Sequence, residues 1–572
     1  MTELRNITKG VRMRQRLLGA ALALVLVSCG GGGGVAGPAP QIGAIDIGAA
    51  QADALRDGGT FRWTIDYLPP NFNYNQVDGP DRNTRDVLGA LVPFLYDAQP
   101  DGTVKINENY LTSATLTSMN PQVVTYALRD EATWSDGTPI TWRDFRAQWQ
   151  ALNGSNKAFL IASSTGYKDI ASVERGTSDK QAVVTFATPF SDWQTIFDPL
   201  YPASTNTNPA TFNTGWIQGP PITAGPFTVE QIDRTANTIT AVRDGKWWGA
   251  KPRLDRIIFR AIPAEAQFDA LANNETDFVD IGPDINSFTR AQSATGVKVR
   301  KALAPNYRHI TFNGRPGTIL ADQQLRIAIQ KGINRQAVTQ ALIGRIVPGV
   351  TPLGNHIYVQ GQQGHQDNSQ VISYDAAEAS RMLDTLGWIR PAAAKPGESA
   401  QGQGIRRKDG KELVIRDVIP TQTPTSEQEA RQVQQFLAEI GVQVEITPVP
   451  SGDFFSRYLI PGNFDITHFS WIGTPLPVTA SNSIYGTRGD TQQNWGAIGN
   501  DTINDLYAQA TREFDPARKI ELANKIDREI WNSGHSLLLY QRPDVVAVRD
   551  DVANFGAFGF ASQIYTDIGF TR

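Results

Sequence analysis

The sequence predicts an α/β protein with more than one domain, and three observations support this prediction. A β-α-β unit spans a strand at 413–419, a helix at 425–440 with its apolar residues on one side, and a strand at 442–446. Such units pair parallel strands beneath covering helices. Alternation of apolar and polar residues predicts further strands at 58–65 and within 123–190. Finally, the roughly 515 residues that follow residue 57 exceed what a single core usually holds.

Capping residues place several helices. Residues 322–344 predict two helices in succession, with Asn334 in the capping position of the second. Asp515 followed by Pro516 predicts the start of another helix, which ends near Gly534. The stretch 391–411, rich in Ala, Gly, Lys and Arg, predicts an insertion on the surface.

The N-terminus has the pattern of a secretory signal peptide. Basic residues precede an apolar run from Leu17 to Val27, which is too short to span a membrane. The run ends in Leu26-Val27-Ser28-Cys29, which resembles the bacterial lipobox, where the cysteine is diacylated and the chain is cut just before it. We therefore predict a lipoprotein signal peptide at 1–28 and lipidation of Cys29. The alternative is an ordinary signal peptide with a coincidental cysteine.

A flexible tether is predicted after Cys29. Five consecutive glycines begin at Gly30, and a polar stretch with Gly and Pro continues to about residue 57. Ordering such a stretch costs much conformational entropy, so we expect 29–57 to join the lipid anchor to the folded body without a fixed structure.

Composition excludes several classes of protein. The formal net charge of -4 argues against binding to nucleic acid, which requires a basic face. A single cysteine excludes internal disulfides and cysteine-based zinc sites. The five histidines lack metal-ligand spacing, and neither a Gly-x-Ser-x-Gly elbow nor a His-Glu-x-x-His motif occurs. We expect a protein that is not an enzyme, with no catalytic residues, metal or cofactor.

One family resemblance extends over nearly the whole mature chain. Residues 128–145 contain Leu-Arg, then Trp134-Ser-Asp-Gly-Thr-Pro, then Asp-Phe, and this is similar to a signature of solute-binding protein family 5. That family comprises the extracytoplasmic peptide-binding lipoproteins of ABC importers. Further matches follow in the family's order at 187–190, 223–227, 243–249, 252–257, 312–313, 325–328, 383–388 and 464–466.

The resemblance implies a fold like that of type II periplasmic binding proteins, with the ligand held in a cleft between lobes. The discontinuous main lobe would comprise 58–100, 215–305 and 541–572. A small inserted lobe would span 101–214, and a third, C-terminal lobe would span 306–540. Lobes of this kind close on their ligand by hinge motion.

The resemblance also points to a ligand-binding segment at 464–477. In peptide-binding relatives an aspartate shortly after a tryptophan pairs with the free α-amine of the peptide. Here the tryptophan is Trp471, but Thr474 occupies the aspartate position or lies close to it. A hydroxyl cannot neutralise an ammonium group, so we expect bound peptides to depend less on a charged N-terminus. The candidate ligand-binding residues are Tyr67, Trp471, Gly473, Thr474, Asn494 and Trp495.

The function implied is that of a tethered receptor in an ABC importer. It would capture oligopeptides or peptide-like solutes on the outer face of the bacterial cytoplasmic membrane and deliver them to a permease with its ATPase subunits. We expect a monomer. The alternative is an orphan family member that acts as a cell-envelope regulator or binds a glycan or another solute.

Overall fold

The computed structural model describes residues 43–391, 404–421, 423–488 and 493–572. The predicted signal peptide, Cys29 and the glycine run lie outside the described residues, as does most of the predicted insertion at 391–411. Within the described ranges, every helix is too short or too polar to cross a membrane.

Strands and helices follow one another mostly in runs of two or more of the same kind through the described chain. The strands are β1 Thr60–Ile65, β2 Tyr96–Ala98, β3 Val104–Ile106, β4 Leu111–Met119, β5 Gln122–Leu128, β6 Ile170–Arg175, β7 Gln181–Phe186, β8 Phe227–Asp233, β9 Thr238–Arg243, β10 Arg256–Ala261, β11 Phe278–Asp280, β12 Val297–Phe312, β13 Arg407–Lys408, β14 Lys411–Glu412, β15 Val414–Pro420, β16 Gln443–Val449, β17 Ile466–Trp471, β18 Ser536–Arg549, β19 Val552–Ala553 and β20 Gly569–Phe570.

The α-helices are α1 Arg82–Leu88, α2 Trp142–Leu152, α3 Ala203–Asn206, α4 Pro209–Thr214, α5 Ala264–Ala272, α6 Ile285–Ser293, α7 Gln323–Lys331, α8 Arg335–Ile343, α9 Ala376–Thr385, α10 Pro424–Glu439, α11 Pro477–Tyr485, α12 Asp501–Ala510 and α13 Pro516–Asn532.

The central feature is a mixed sheet of ten strands in the order β16-β15-β17-β12-β18-β11-β1-β10-β9-β8. The β15 and β16 strands of the predicted β-α-β unit pair in parallel, with α10 between them in sequence. A separate four-stranded sheet, β4-β5-β7-β6, forms the inserted lobe. The α/β architecture with a discontinuous main lobe, an inserted lobe and a C-terminal lobe is therefore confirmed.

The predicted caps occur where the sequence placed them. The side chain of Asn334 accepts a hydrogen bond from the backbone N–H of Ala337 at the start of α8. Asp515 does the same for Arg518 at the start of α13. Each cap satisfies a backbone donor that the first helical turn leaves open.

The C-terminal part of the predicted tether is packed on the main lobe, so the prediction of an unstructured chain up to residue 57 is wrong there. The backbone N–H of Asp46 donates to the carbonyl of Ala557 over 2.8 Å. The backbone N–H of Ala50 donates to the side chain of Asn554, and Leu55 is only 2% exposed. This part of the chain gains strand-like bonds and a buried leucine, which offset the entropy cost of ordering it.

Strands β12 and β18 carry the sheet from the main lobe into the third lobe. They pair antiparallel from Val297 opposite Arg549 to Thr311 opposite Ser536, with register shifts between Leu303 and Tyr307 and between Arg308 and His309. The predicted boundaries at 305/306 and 540/541 fall inside these two strands. The crossing between lobes is therefore continuous sheet with a local irregularity.

The third lobe contains a buried network of charges. Arg308 donates from Nε to Oε1 of Glu429 over 2.9 Å, and the Tyr540 hydroxyl donates to the same oxygen over 3.0 Å. Beside this pair, His468 bonds Asp417 over 2.9 Å. The Glu429 side chain is fully buried and that of Arg308 is 8% exposed. The network joins β12 and β18 to α10, so it fixes the helix on the crossing strands.

We expect Glu429→Gln to lower the free energy of unfolding by about 3–5 kcal/mol, because it leaves the buried Arg308 guanidinium without a counter-charge. Chemical denaturation monitored by tryptophan fluorescence would measure the change. The matched control is Glu427→Gln on the same helix, where the exposed pair with Arg431 contributes at most about 1 kcal/mol. Equal effects of the two substitutions would contradict this account.

Candidate functional site

A cavity of about 460 Å³ lies where the three lobes meet, and we call it the central cavity. The main lobe contributes 80–82, Ala304, Pro305 and the segment 555–566 to its wall, and Asn306 lies at the boundary with the third lobe. The inserted lobe contributes Asn107, Asn109 and Tyr110, and the third lobe contributes 472–475. Its volume lies within the range of small-molecule and short-ligand sites.

The cavity forms where β12 departs from regular pairing. Ala304, Pro305 and Asn306 lie in the register shift and line the wall. Proline has no backbone N–H to donate to a sheet, which is why it occurs at such irregularities. Across the gap, β17 ends at Trp471 and the chain turns toward Pro305. A Cβ atom on Gly473 would lie 2.4 Å from the Pro305 carbonyl oxygen, so this close approach requires glycine.

The charged residues that line the central cavity are four aspartates and two arginines, a net negative set. Arg82 pairs with Asp280 and lies 3.8 Å from Asp86, and the Arg85 guanidinium lies 5.3 Å from the centre of the Phe94 ring. Both cations already have partners within the protein. The wall therefore favours a ligand that carries positive charge.

Three of these carboxyl groups have a pKa above that of a free aspartate. Burial raises the pKa of Asp86, Asp97 and Asp544 to about 6 in each case. Burial raises a carboxyl pKa because the charged form loses its hydration. A cationic ligand group would restore a favourable environment for the charged form.

The cavity wall also contains polar atoms without partners among the described residues. They are the indole N–H of Trp63, the amide oxygen of Asn306 and the hydroxyls of Tyr96 and Thr474. Trp63 is only 1% exposed. A buried polar atom without a hydrogen bond costs about 1–3 kcal/mol, so such atoms indicate where a ligand supplies the missing partner. One donor, one acceptor and two hydroxyls match the N–H and C=O groups of a peptide backbone.

A second cavity of about 420 Å³ adjoins the first and shares Arg82, Asp86 and Phe278 with it. Its wall is mostly polar and includes Asp280 and Arg542. Within the described ranges, His, Cys, Asp and Glu side chains form no cluster able to hold a metal ion.

Two of the six predicted ligand-binding residues, Gly473 and Thr474, line the central cavity. The Thr474 carbonyl accepts a hydrogen bond from Gln362 over 3.1 Å. Trp471 and Trp495 lie outside the residues that line either cavity, but they stack on each other with ring centres 5.2 Å apart. Phe455, which is 44% exposed, packs against Trp495. These aromatic rings form a half-exposed face of the third lobe next to the 472–475 loop.

The other two predicted residues have positions that the sequence did not suggest. The Asn494 amide donates to the carbonyls of Gly486 and Ile498 over 2.8 Å each, so it shapes the loop that presents Trp495. Tyr67 is 50% exposed just beyond β1 and lies outside the lining of both cavities. Whether any of the six contacts a ligand remains a prediction.

Several cavity residues were not identified from the sequence. Trp63 reads as an ordinary inward residue of a strand, and Asp97 belongs to no motif. The segment 555–566 lies close to the C-terminal end without a regular pattern. The only available signal was its run of aromatic residues and glycines, which fits a core equally well.

Comparison with known proteins identifies the family. The model of the family described as "Bacterial extracellular solute-binding proteins, family 5 Middle" matches residues 105–493. The chain belongs to this family. It is 42% identical over 530 residues to the oligopeptide-binding protein OppA of Mycobacterium tuberculosis. The aligned region covers 92% of this chain and 87% of the relative.

Solved structures share the fold. The periplasmic EDTA-binding protein EppA superposes with a TM-score of 0.83 over 94% of this chain and 100% of that one, at 24% identity. The oligopeptide-binding protein AppA from Bacillus subtilis, solved in complex with a nonapeptide, has a TM-score of 0.74 over 91% of this chain and 100% of that one, at 17% identity. The predicted family and the type II periplasmic-binding fold are confirmed.

We expect Gly473→Ala to disturb the central cavity, since its methyl group would collide with the Pro305 carbonyl and push the 472–475 loop away from β12. Overpacking of this kind typically costs about 1–3 kcal/mol. Thermal unfolding would measure the loss. Gly452→Ala is the matched control, because a Cβ there meets nothing within 4 Å. An unchanged melting temperature for Gly473→Ala would show that the loop does not depend on this contact.

Proposed function

We propose that the protein is the solute-binding receptor of an ABC importer and that its ligands are oligopeptides. The observation that carries the proposal is the central cavity, whose wall offers unpaired hydrogen-bonding atoms of both kinds at the junction of the lobes. The 42% identity to an oligopeptide-binding protein over most of both chains supports the same ligand class. We propose that the receptor works as a monomer and carries out no chemistry on its ligand.

Capture is proposed to depend on movement of the lobes. The inserted lobe contacts the third lobe through Asp192, which is 1% exposed. Its carboxylate forms an ion pair with Lys519 and accepts a hydrogen bond from the backbone N–H of Thr479 over 3.1 Å. A ligand that contacts more than one lobe adds to these bonds and shifts the population toward the closed form. The permease would then recognise that form.

Peptide binding can be tested with the full chain carrying Cys29→Ser, which is expected to be released in soluble form. After incubation with a tryptic digest of casein and removal of free peptides by gel filtration, mass spectrometry should find peptides retained by the protein. The control is the same preparation after Gly473→Ala, which should retain fewer. Retention of no peptide by the unaltered cavity would contradict the proposed ligand class.

The lipid anchor is a separate proposal that rests on the residues around Cys29 and on the extracytoplasmic character of the family. We expect Cys29→Ser to move the protein from the membrane fraction to the soluble fraction, because acyl chains are its only proposed attachment. Stable anchoring requires more than one chain, and a diacylated cysteine supplies them. Fractionation and immunoblotting would measure this. Ser28→Ala keeps a small residue before the cysteine and should stay with the membrane. A Cys29→Ser protein that still sediments with membranes would refute the anchor.

A further inference from the structure

Asp97 differs from the other aspartates of the central cavity in having an unpaired carboxylate. Asp81 caps α1 by accepting from the Thr84 N–H over 3.0 Å, and Asp86 lies beside Arg82. Asp544 accepts from the Phe558 N–H over 3.0 Å. Among the described residues, the side chain of Asp97 has neither a salt bridge nor a hydrogen bond, although it is only partly exposed.

The position of Asp97 is fixed by the backbone rather than by its carboxylate. It is the middle residue of the short strand β2, and it lies opposite Lys105 in β3. The carboxyl group of Asp198 accepts from the backbone N–H groups of Leu95 and Tyr96 just before it. These bonds hold β2 against the cavity, so the Asp97 carboxylate is presented there without being needed for the fold.

The charged and titratable groups around Asp97 do not neutralise the negative charge of its carboxylate. Burial raises the pKa of Asp97 to about 6, and burial also raises the pKa of neighbouring Asp198, to about 7. Tyr110 on the inserted lobe and Lys105 on the paired strand are the other titratable groups beside it, and Lys105 is exposed. The nearest cavity arginines are engaged elsewhere, as described above.

An independent feature of the same wall indicates a ligand. The unpaired indole N–H of Trp63, on a side chain only 1% exposed, and the unpaired amide oxygen of Asn306 both belong to the central cavity. A bound molecule that satisfies them lies in the same cavity as Asp97. Thr474, on the third-lobe side of that cavity, brings no charge.

We propose that Asp97 binds the positively charged group of the ligand, an ammonium or guanidinium, and so determines a preference for cationic peptides. The source is either the free N-terminal amine or a Lys or Arg side chain, which share this chemistry. The inference rests on the proposed peptide-binding function. When the N-terminal amine is the source, it replaces the expectation, drawn from position 474 alone, that a charged N-terminus matters little; when a side chain is the source, that expectation stands.

The test uses the peptide most enriched from the casein digest, synthesised in three forms: with free amines, with only the N-terminus acetylated, and with its basic side chain replaced by a neutral residue. Calorimetry at pH 7.5 should show that one of the two changes weakens binding by about 30-fold or more, as expected when a buried charge loses its partner. In Asp97→Asn the same change should have little effect. Which form loses affinity identifies the source of the charge.

Asp101→Asn is the matched control. Asp101 lies in the turn between β2 and β3, where its carboxylate bonds Thr103, outside the cavity lining. This variant should keep the full discrimination. The inference is wrong, while peptide binding stands, if Asp97→Asn also keeps this discrimination. It is equally wrong if neither N-terminal acetylation nor replacement of the basic side chain weakens binding to the wild-type protein. If no peptide is captured at all, the proposed function fails first.

The stability of the ligand-free protein gives a second readout. A carboxyl group whose pKa is raised on folding weakens stability as pH rises from its unfolded pKa to its folded pKa. Asp97→Asn should therefore raise the melting temperature at pH 7.5 and leave it nearly unchanged near pH 4. A lower melting temperature at pH 7.5 would show that the Asp97 charge serves the fold. Binding of the cationic peptide to the wild type should weaken as pH falls through about 6, because the carboxylate becomes protonated.

Discussion

The antiparallel pairing of β12 with β18 is the constraint on which the site depends. These two strands run through both the main lobe and the third lobe, so the ten-stranded sheet is continuous across the crossing. Their pairing shifts register in two places, between Leu303 and Tyr307 and between Arg308 and His309, and residues 304–306 line the central cavity at the first of them. The irregularity leaves backbone and side-chain groups available for a ligand.

Buried polar groups have partners in the core of the third lobe, but several in the central cavity lack them within the described ranges. In the core, Arg308 and Glu429 are buried together, and each charge has its partner. In the cavity, Trp63, Asn306 and Asp97 are buried to different degrees without partners among the described residues. Both arrangements remove polar groups from water, but only the first regains the lost hydrogen bonds on folding. In the cavity the desolvation of these unpaired groups is not compensated, and a ligand that forms hydrogen bonds with them can recover that free energy.

The sequence predicted the elements with a strong period and a clear cap. The β-α-β unit around α10 and the helix that begins at Asp515 occur with boundaries within two residues, except that β16 continues three residues beyond its predicted end. The ligand side was harder to predict, because Asp97, Asn306 and Thr474 are far apart in sequence and meet only through the sheet crossing. Thr474 was found since it follows a family motif, whereas Asp97 lies in a three-residue strand without a recognisable pattern. Ordering of 43–57 was missed for a similar reason, since its partners lie far away in sequence, for example 253 residues for Arg300 and 504 residues for Asn554.

The inserted lobe is attached to its two neighbours by different forces, and this difference suits a receptor that opens. Toward the main lobe the contact includes apolar packing, and Ile222 packs against the cores of both lobes. Toward the third lobe the contact at Asp192 is polar, through Lys519 and Thr479. Apolar surface that separates must be hydrated at a net cost, whereas separated polar groups regain bonds to water. Opening is therefore cheaper at the polar contact, so the inserted lobe is expected to stay with the main lobe while the third lobe moves. Asp97 and Thr474 would then lie on opposite sides of the opening, and a peptide that binds Asp97 first would be enclosed when the third lobe returns.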